Sequence, residues 1–287
     1  MGRAVTGSTH LAALVGSPVR HSLSPAILNA AFAAVDADWV FLVFDVPPGR
    51  GAQAIAAARE LGIGGLSVTM PHKAAAHDAV DERTPVASAL GAVNCVCWLG
   101  DRLVGESTDG AGFVDALRMD EGVDPAGLRC VVVGAGGAGR AVALALGEAG
   151  AADVAIVNRS PEPATRAAIL AGERGRVGTP ADVAGADLVV NATPLGMGVV
   201  TAADGTPEPL PVDPASLRAG QVVVDLIYHP ATTPLLGAAR DRGAVAVNGL
   251  GMLIHQAAHA FRRWTGEDPP LEAMSAAAVV ELTRRMG

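Results

Sequence analysis

The stretch Cys130-Val131-Val132-Val133-Gly134-Ala135-Gly136-Gly137-Ala138-Gly139-Arg140 decides the fold. Its apolar run Cys130–Val133 is too short for a helix and stops at glycine, so it reads as a buried strand. Gly134–Gly139 then fits G-x-G-x-x-G, and Arg140–Ala149 reads as the helix that follows. In such a turn the first glycine permits the tight bend and the second lets a pyrophosphate approach the backbone. The third lets helix pack closely on strand. Gly134, Ala135, Gly136, Gly137, Ala138 and Gly139 are therefore expected to cradle a dinucleotide, whose phosphates face the helix N–H groups. The glycine pattern alone is weak in a chain with 35 glycines. Its strand-before, helix-after setting gives it meaning.

The next strand, Asp153–Val157, leads into Asn158-Arg159-Ser160. Sites that select NAD usually carry Asp or Glu here, for the ribose hydroxyls. An acid would repel a 2′-phosphate, whereas Arg159 can pair with it and stack on the adenine. NADP is favoured over NAD, and Asn158, Arg159 and Ser160 join the expected cofactor site.

On either side of this loop, strands and helices alternate. Ala164–Ala171 reads as a helix, Leu188–Asn191 and Val222–Leu226 as strands, and Val245–Val247 as a last strand. Such alternation predicts a parallel sheet with helices on both faces. Upstream, Leu11–Val15, Trp39–Asp45 and Gly64–Thr69 read as strands. Helices are expected from near Pro25, over Ala52–Leu61 and over Lys73–Val80, with a hairpin of Ala92–Leu99 and Arg102–Glu106. The tail from Gly251 to Met286 is helical and has no strand of its own; Pro207–Pro214 is a Pro-rich loop. The expected fold class is α/β with two domains. Residues 1–109 with 250–287 form a substrate-binding and catalytic domain, onto which the C-terminal helices pack back. Residues 110–249 form a doubly wound Rossmann domain.

Composition agrees with this reading. Half of the 287 residues are hydrophobic and only 3% aromatic, so Ala, Val, Leu and Ile build the cores. A net charge of -8 offers no basic excess to neutralise phosphates, which argues against a nucleic-acid partner. No apolar stretch reaches the roughly 18 residues of a membrane span, and no secretory leader is recognisable at the start. Cys95, Cys97 and Cys130 fit neither a disulfide framework nor a zinc spacing. The expectation is a cytoplasmic enzyme with a small-molecule substrate, no metal, and possible assembly as a homodimer.

Three polar clusters fall at predicted strand ends in the first half: Ser22-Leu23-Ser24, Thr69 to Lys73, and Asn94 with Asp109. Hydroxyls, an amide, an ammonium and a carboxylate together suit a hydroxylated carboxylate substrate. Singly, Ser24 before Pro25 and Asp109 before Gly110 could be helix caps. In sequence order, Val15-Gly16-Ser17-Pro18-Val19-Arg20-His21-Ser22-Leu23-Ser24-Pro25, Ser67-Val68-Thr69-Met70-Pro71-His72-Lys73, Gly91-Ala92-Val93-Asn94 and Ser107-Thr108-Asp109-Gly110-Ala111-Gly112-Phe113 resemble the signatures of the shikimate dehydrogenase family. The likeness continues through Gly134–Gly139, Asn158-Arg159-Ser160, Asn191-Ala192-Thr193-Pro194-Leu195-Gly196-Met197, Asp225-Leu226-Ile227-Tyr228 and Gly249-Leu250-Gly251-Met252-Leu253-Ile254-His255-Gln256.

That resemblance implies reversible reduction of 3-dehydroshikimate to shikimate by NADPH, on the chorismate route to aromatic amino acids. It implies that Ser22 and Ser24 bind the substrate carboxylate, and that Thr69, Asn94, Tyr228 and Gln256 hold its hydroxyls and ring. Lys73 and Asp109 form the implied catalytic pair; Thr193, Leu226, Gly249 and Met252 complete the cofactor site. Which of Lys73 and Asp109 is the base stays open, because a neighbouring carboxylate raises the pKa that a lysine base needs lowered. Ser67 and Ser107 replace the Asn of many relatives. Pro163 stands where a second Arg for the 2′-phosphate is often found, with Arg166 nearby as a substitute. A quinate or aminoshikimate enzyme using NAD is the alternative within this chemistry. A non-catalytic dinucleotide-binding regulator is the alternative outside it, and its hallmark would be loss of Lys73 or Asp109. Both are present. His255 and His259 have the spacing of a zinc helix, but Gln256 replaces the required general base. His72 beside Lys73 could assist catalysis, but a surface or supporting role is the expectation.

Overall fold

A strand of the second sheet shows why this sequence folds as it does. Cys130 and Val132 face one core, and Val131 and Val133 face another, because successive side chains point to opposite faces. A strand buried on both faces must lie in the middle of a layered α/β structure. The computed structural model describes residues 4–197 and 209–286, so Pro207 and Glu208 of the Pro-rich loop lie outside the described residues. The chain divides into two units, Met1–Thr108 with Ile254–Gly287, and Asp109–Leu253.

In the first unit β1 (His10–Gly16) lies between β2 (Trp39–Asp45) and β3 (Gly65–Val68), parallel to both, with Leu14 opposite Val43 and Ser67. After β4 (Glu82–Arg83), β5 (Cys95–Leu99) and β6 (Arg102–Glu106) form the expected hairpin around Gly100. The order is β2-β1-β3-β5-β6-β4, and β5 alone runs against its neighbours. The helices are α1 (Ser24–Ala34), α2 (Gly51–Glu60), α3 (Lys73–Ala79) and α4 (Pro85–Leu90). The core joins Ala13, Val15, Leu66, Val68, Val96 and Leu103 of the sheet to Ile55 and Ala76 of α2 and α3.

The second unit starts with α5 (Asp109–Asp115), which continues as a π-helical turn over Ala116–Asp120. β7 (Arg129–Val133), β8 (Asp153–Val157), β9 (Gly175–Val177), β10 (Leu188–Asn191), β11 (Val222–Asp225) and β12 (Val245–Asn248) are all parallel, in the order β12-β11-β10-β7-β8-β9. That order reverses at β7/β10, the switch point of a doubly wound sheet. α6 (Gly137–Glu148) and α7 (Pro161–Leu170) cover one face; α8 (Pro234–Asp241) lies on the other. α6 starts three residues before the expected Arg140, so its first turn lies inside the glycine loop.

Of the two C-terminal helices, α9 (Leu250–Thr265) belongs to the first unit from Ile254 onward, and α10 (Leu271–Met286) lies within that unit. Trp264 stacks on Phe41 and its indole N–H donates to the Val96 carbonyl at 3.0 Å. Phe261 packs on Phe32 of α1, which also packs against α10 and β2.

Candidate active site

The turn after β1 holds two serines in register. Ser22 Oγ–H donates to Ser24 Oγ, and the Ser24 backbone N–H donates to Ser22 Oγ, each at 3.1 Å. The N-cap of α1 is Leu23, so Ser24 is the first helical residue rather than the cap, and its hydroxyl is engaged with Ser22. After β3, Thr69 is half-buried, and its N–H donates to the Val15 carbonyl at 2.9 Å, which ties the ends of β1 and β3 together. Lys73 follows at the first position of α3 and is half-buried. His72 is no surface residue: it is only 1% exposed, and its Nε2 lies 2.8 Å from the Val46 carbonyl. A carbonyl can only accept, so Nε2 carries the proton and His72 anchors the turn that presents Lys73.

Asn94 leads into β5 and is buried. Its Oδ1 accepts the Thr108 N–H at 2.8 Å, and its Nδ2 donates to Thr108 Oγ1 at 3.0 Å. Thr108, quoted in a sequence motif without a role, thereby orients the amide. Gln256, on α9, is half-buried. β5 runs against β3 while β6 runs with it, so the end of β1, the end of β3, the start of β5 and the end of β6 share one edge of the sheet. Ser22, Ser24, Thr69, Lys73, Asn94 and Thr108 all belong to that edge.

In the second unit Asp109 is the first residue of α5 and is buried. The glycine loop has the space that its pattern predicts. Gly134 has φ +103°, and Gly139 leaves no room at all, since a Cβ there would lie 2.0 Å from the Gly134 carbonyl oxygen. Gly136 and Gly137 face open space, with nothing within 4 Å of a Cβ. Gly136 caps α6 with no side-chain cap, so the first-turn N–H groups, through Ala138, are offered by backbone alone. Asn158 Oδ1 accepts the Ala135 N–H at 3.2 Å while its Nδ2 donates to the Ser160 carbonyl at 2.9 Å, which braces the loop against the next turn. Arg159 and Ser160 are exposed. Arg166 is ion-paired with Glu162 one helical turn away, which weakens it as the substitute for a second phosphate-binding Arg.

A buried polar chain joins the ends of β10 and β11. Asp225 Oδ1 accepts from Asn191 Nδ2 at 3.0 Å and from the Ile227 N–H at 3.2 Å; Oδ2 accepts from Thr233 Oγ1–H at 2.7 Å. Burial pushes the Asp225 carboxyl above its usual range, against these three donors. Asn191 Oδ1 in turn accepts from the N–H and Oγ1–H of Thr193, at 3.0 and 2.7 Å. The chain thus fixes the turn carrying Thr193 and the one carrying Leu226 and Tyr228. Gly249 donates its N–H to the Ile227 carbonyl at 3.1 Å, and Met252 packs on the core of this unit. Asn191 and Asp225 were quoted in the sequence motifs without a role, and Thr233 was not singled out.

This donor set fits an anionic dinucleotide: an open backbone cradle, a helix start and an exposed arginine at the next strand's end. The family model of the shikimate dehydrogenase substrate binding domain matches residues 14–96, and that of the shikimate 5′-dehydrogenase C-terminal domain matches residues 249–279. An NAD(P)-binding model matches residues 122–196 between them. A shikimate dehydrogenase (NADP(+)) of Moorella thermoacetica is 45% identical over 280 residues, covering 94% of this chain and 92% of that one. The chain belongs to the shikimate dehydrogenase family. Among solved members, a shikimate dehydrogenase in complex with NADP+ superposes with TM-score 0.88 at 37% identity, covering 98% of this chain and 99% of that one. The Thermus thermophilus shikimate 5-dehydrogenase, in complex with NADP(H) and shikimate, superposes with TM-score 0.85 at 35% identity, covering 95% and 99%.

Proposed function

We propose that this chain oxidises shikimate to 3-dehydroshikimate with NADP, and catalyses the reverse. The observation that carries the reading is the shared edge of the first sheet, where Ser22, Ser24, Thr69, Lys73 and Asn94 collect. Hydroxyls bind the carboxylate, Thr69, Asn94, Gln256 and Tyr228 hold the hydroxyls and ring, and the first unit with its C-terminal helices is the substrate domain. The second unit holds NADP, with the pyrophosphate on Gly134–Gly139 and the 2′-phosphate on Arg159. Thr193, Leu226, Gly249 and Met252 complete that side. When bound, NADP supplies the hydride acceptor of the oxidation and the donor of the reduction. Lys73 and Asp109 hold and move the proton of the reacting hydroxyl, and the Lys73 ammonium stabilises charge that develops on its oxygen.

The chain is expected to work in the cytoplasm, where its three buried, unbridged cysteines suit a reducing environment. A homodimer is part of the proposal: β2 is an edge strand with Leu42 47% and Phe44 41% exposed, an edge that a second copy would cover. Among the described residues no helix is long and apolar enough to cross a membrane.

The test is absorbance at 340 nm with shikimate or quinate, each paired with NADP or NAD. Shikimate with NADP should give the highest kcat/KM. Lys73→Ala and Asp109→Ala should lower kcat about 10²–10⁴-fold, with NADP binding retained. A wild-type protein inert to shikimate and NADP overturns the proposal.

A further inference from the structure

Two neutral hydroxyls are a weak receptor for a carboxylate unless something holds them in place. Across from their turn stands the last turn of α10. Arg285 Nη2 donates to the Ser22 carbonyl at 3.1 Å and Nη1 donates to the His21 carbonyl. Its Nε donates to Glu281 Oε1 at 2.8 Å, and Arg284 clasps the same carboxylate through Nε at 2.8 Å and Nη2 at 2.9 Å. These two guanidiniums hold the Glu281 carboxyl down to about 2. The Arg285 side chain is only 28% exposed, although it lies on a surface helix.

A guanidinium is a planar, rigid fork, and one that grips two successive carbonyls fixes the peptide planes on both sides of Ser22. Those planes set where the Ser22 hydroxyl points, and that hydroxyl is bonded to Ser24 Oγ. The group of Glu281, Arg284 and Arg285 also counts two cations to one anion, a positive balance behind the hydroxyl pair. We propose that Arg285 is a positioning residue for substrate: through the His21 and Ser22 carbonyls it holds the Ser22–Ser24 hydroxyl pair for the substrate carboxylate. The inference rests on the reading of Ser22 and Ser24 as the carboxylate site. It adds a residue 263 positions away in sequence that touches no substrate.

The experiment compares wild type, Arg285→Ala, Glu281→Gln and Ser22→Ala in steady-state kinetics with shikimate and with its uncharged methyl ester. Arg285→Ala should raise KM for shikimate about tenfold, the loss of roughly one charge-assisted hydrogen bond. Its kcat should stay within about twofold and KM for NADP should not move. The preference for shikimate over the ester should shrink with it, and millimolar guanidinium should restore KM. Glu281→Gln, which keeps the fork and loosens its anchor, should show the same pattern more weakly, and answers for the case in which Arg285→Ala does not fold. An unchanged KM for shikimate in Arg285→Ala overturns the inference, as does a parallel loss of kcat and NADP affinity. If Ser22→Ala raises KM and Arg285→Ala does not, only the role of Arg285 falls. If Ser22→Ala leaves the acid-over-ester preference intact, the carboxylate reading falls and takes this inference with it.

Discussion

Asn94 presents a carbonyl and an amino group, and Thr108 engages both: its backbone N–H goes to Oδ1 and its hydroxyl oxygen accepts from Nδ2. The pair is buried, so the geometry is set by bonds that cannot be exchanged with water. Thr108→Val keeps the shape and the N–H but removes the acceptor of one amide hydrogen. Urea unfolding should show a loss of about 1–3 kcal/mol. KM for shikimate should rise, while Thr108→Ser stays close to wild type. An unaffected KM would mean that the Asn94 orientation is set elsewhere. Asn94 itself was legible in the sequence, because an amide beside a strand end among other polar residues signals a site. Thr108 was not, because a threonine 14 residues away looks like any other until the hairpin folds β6 back on β5. The same holds for Asp225: only the parallel pairing of β10 with β11 brings Asn191 to its carboxylate.

At the scale of elements, the glycine loop separates two demands that a sequence pattern merges. Gly139 is required by the fold itself, since its Cβ would meet the Gly134 carbonyl at 2.0 Å, whereas Gly136 faces open space. Gly139→Ala should therefore lower stability without any nucleotide present, by about 1–3 kcal/mol of overpacking. Gly136→Ala, at φ -75° and hence compatible with alanine, should unfold like wild type. It should still lose about tenfold or more in NADP affinity, because its methyl occupies the space proposed for the pyrophosphate. Urea titrations of both variants and a fluorescence titration with NADP check this, and wild-type NADP affinity in Gly136→Ala would remove the loop from the cofactor site. The long strands and helices were legible because periodicity reports burial. The expected Trp39–Asp45, Asp153–Val157 and Leu188–Asn191 match the strands to the residue. α4 and α8 were missed although each carries a start signal, Thr84-Pro85 and Thr233-Pro234, whose threonine accepts the N–H of Ala87 or Leu236. Both are short and interrupt polar stretches, so a period-based reading passes over them. α7 likewise starts at Ser160-Pro161, three residues before its apolar pattern.

Across the whole molecule, charge is the property that composition states and only the fold distributes. The chain carries 29 acidic residues against 21 Lys and Arg, yet many of the carboxylates are paired with arginine in local networks. The network at the far edge of the second sheet is built on Arg176 of β9. It donates to Asp153 through Nε and Nη2 at 2.8 Å, and to Asp182 through Nη2 at 2.7 Å. With the Thr179 N–H, Arg176 holds the Asp182 carboxyl down to about 2. A carboxylate with a lowered folded pKa binds fewer protons folded than unfolded. Its contribution is therefore complete above the ordinary value near 3.8 and lost as pH falls through about 2. Asp225 has the opposite sign. Its raised pKa makes the folded state bind more protons, so its ionisation opposes folding as pH rises through that value. Arg176→Ala should consequently lower the unfolding free energy at pH 7 by about 1 kcal/mol, the size expected of a solvent-screened pair. The difference from wild type should shrink between pH 4 and pH 2, where Asp182 becomes protonated in both. Urea unfolding across that range measures it. A difference that stays constant down to pH 2 would assign the loss to the packing of the arginine stem against β9 rather than to its charge.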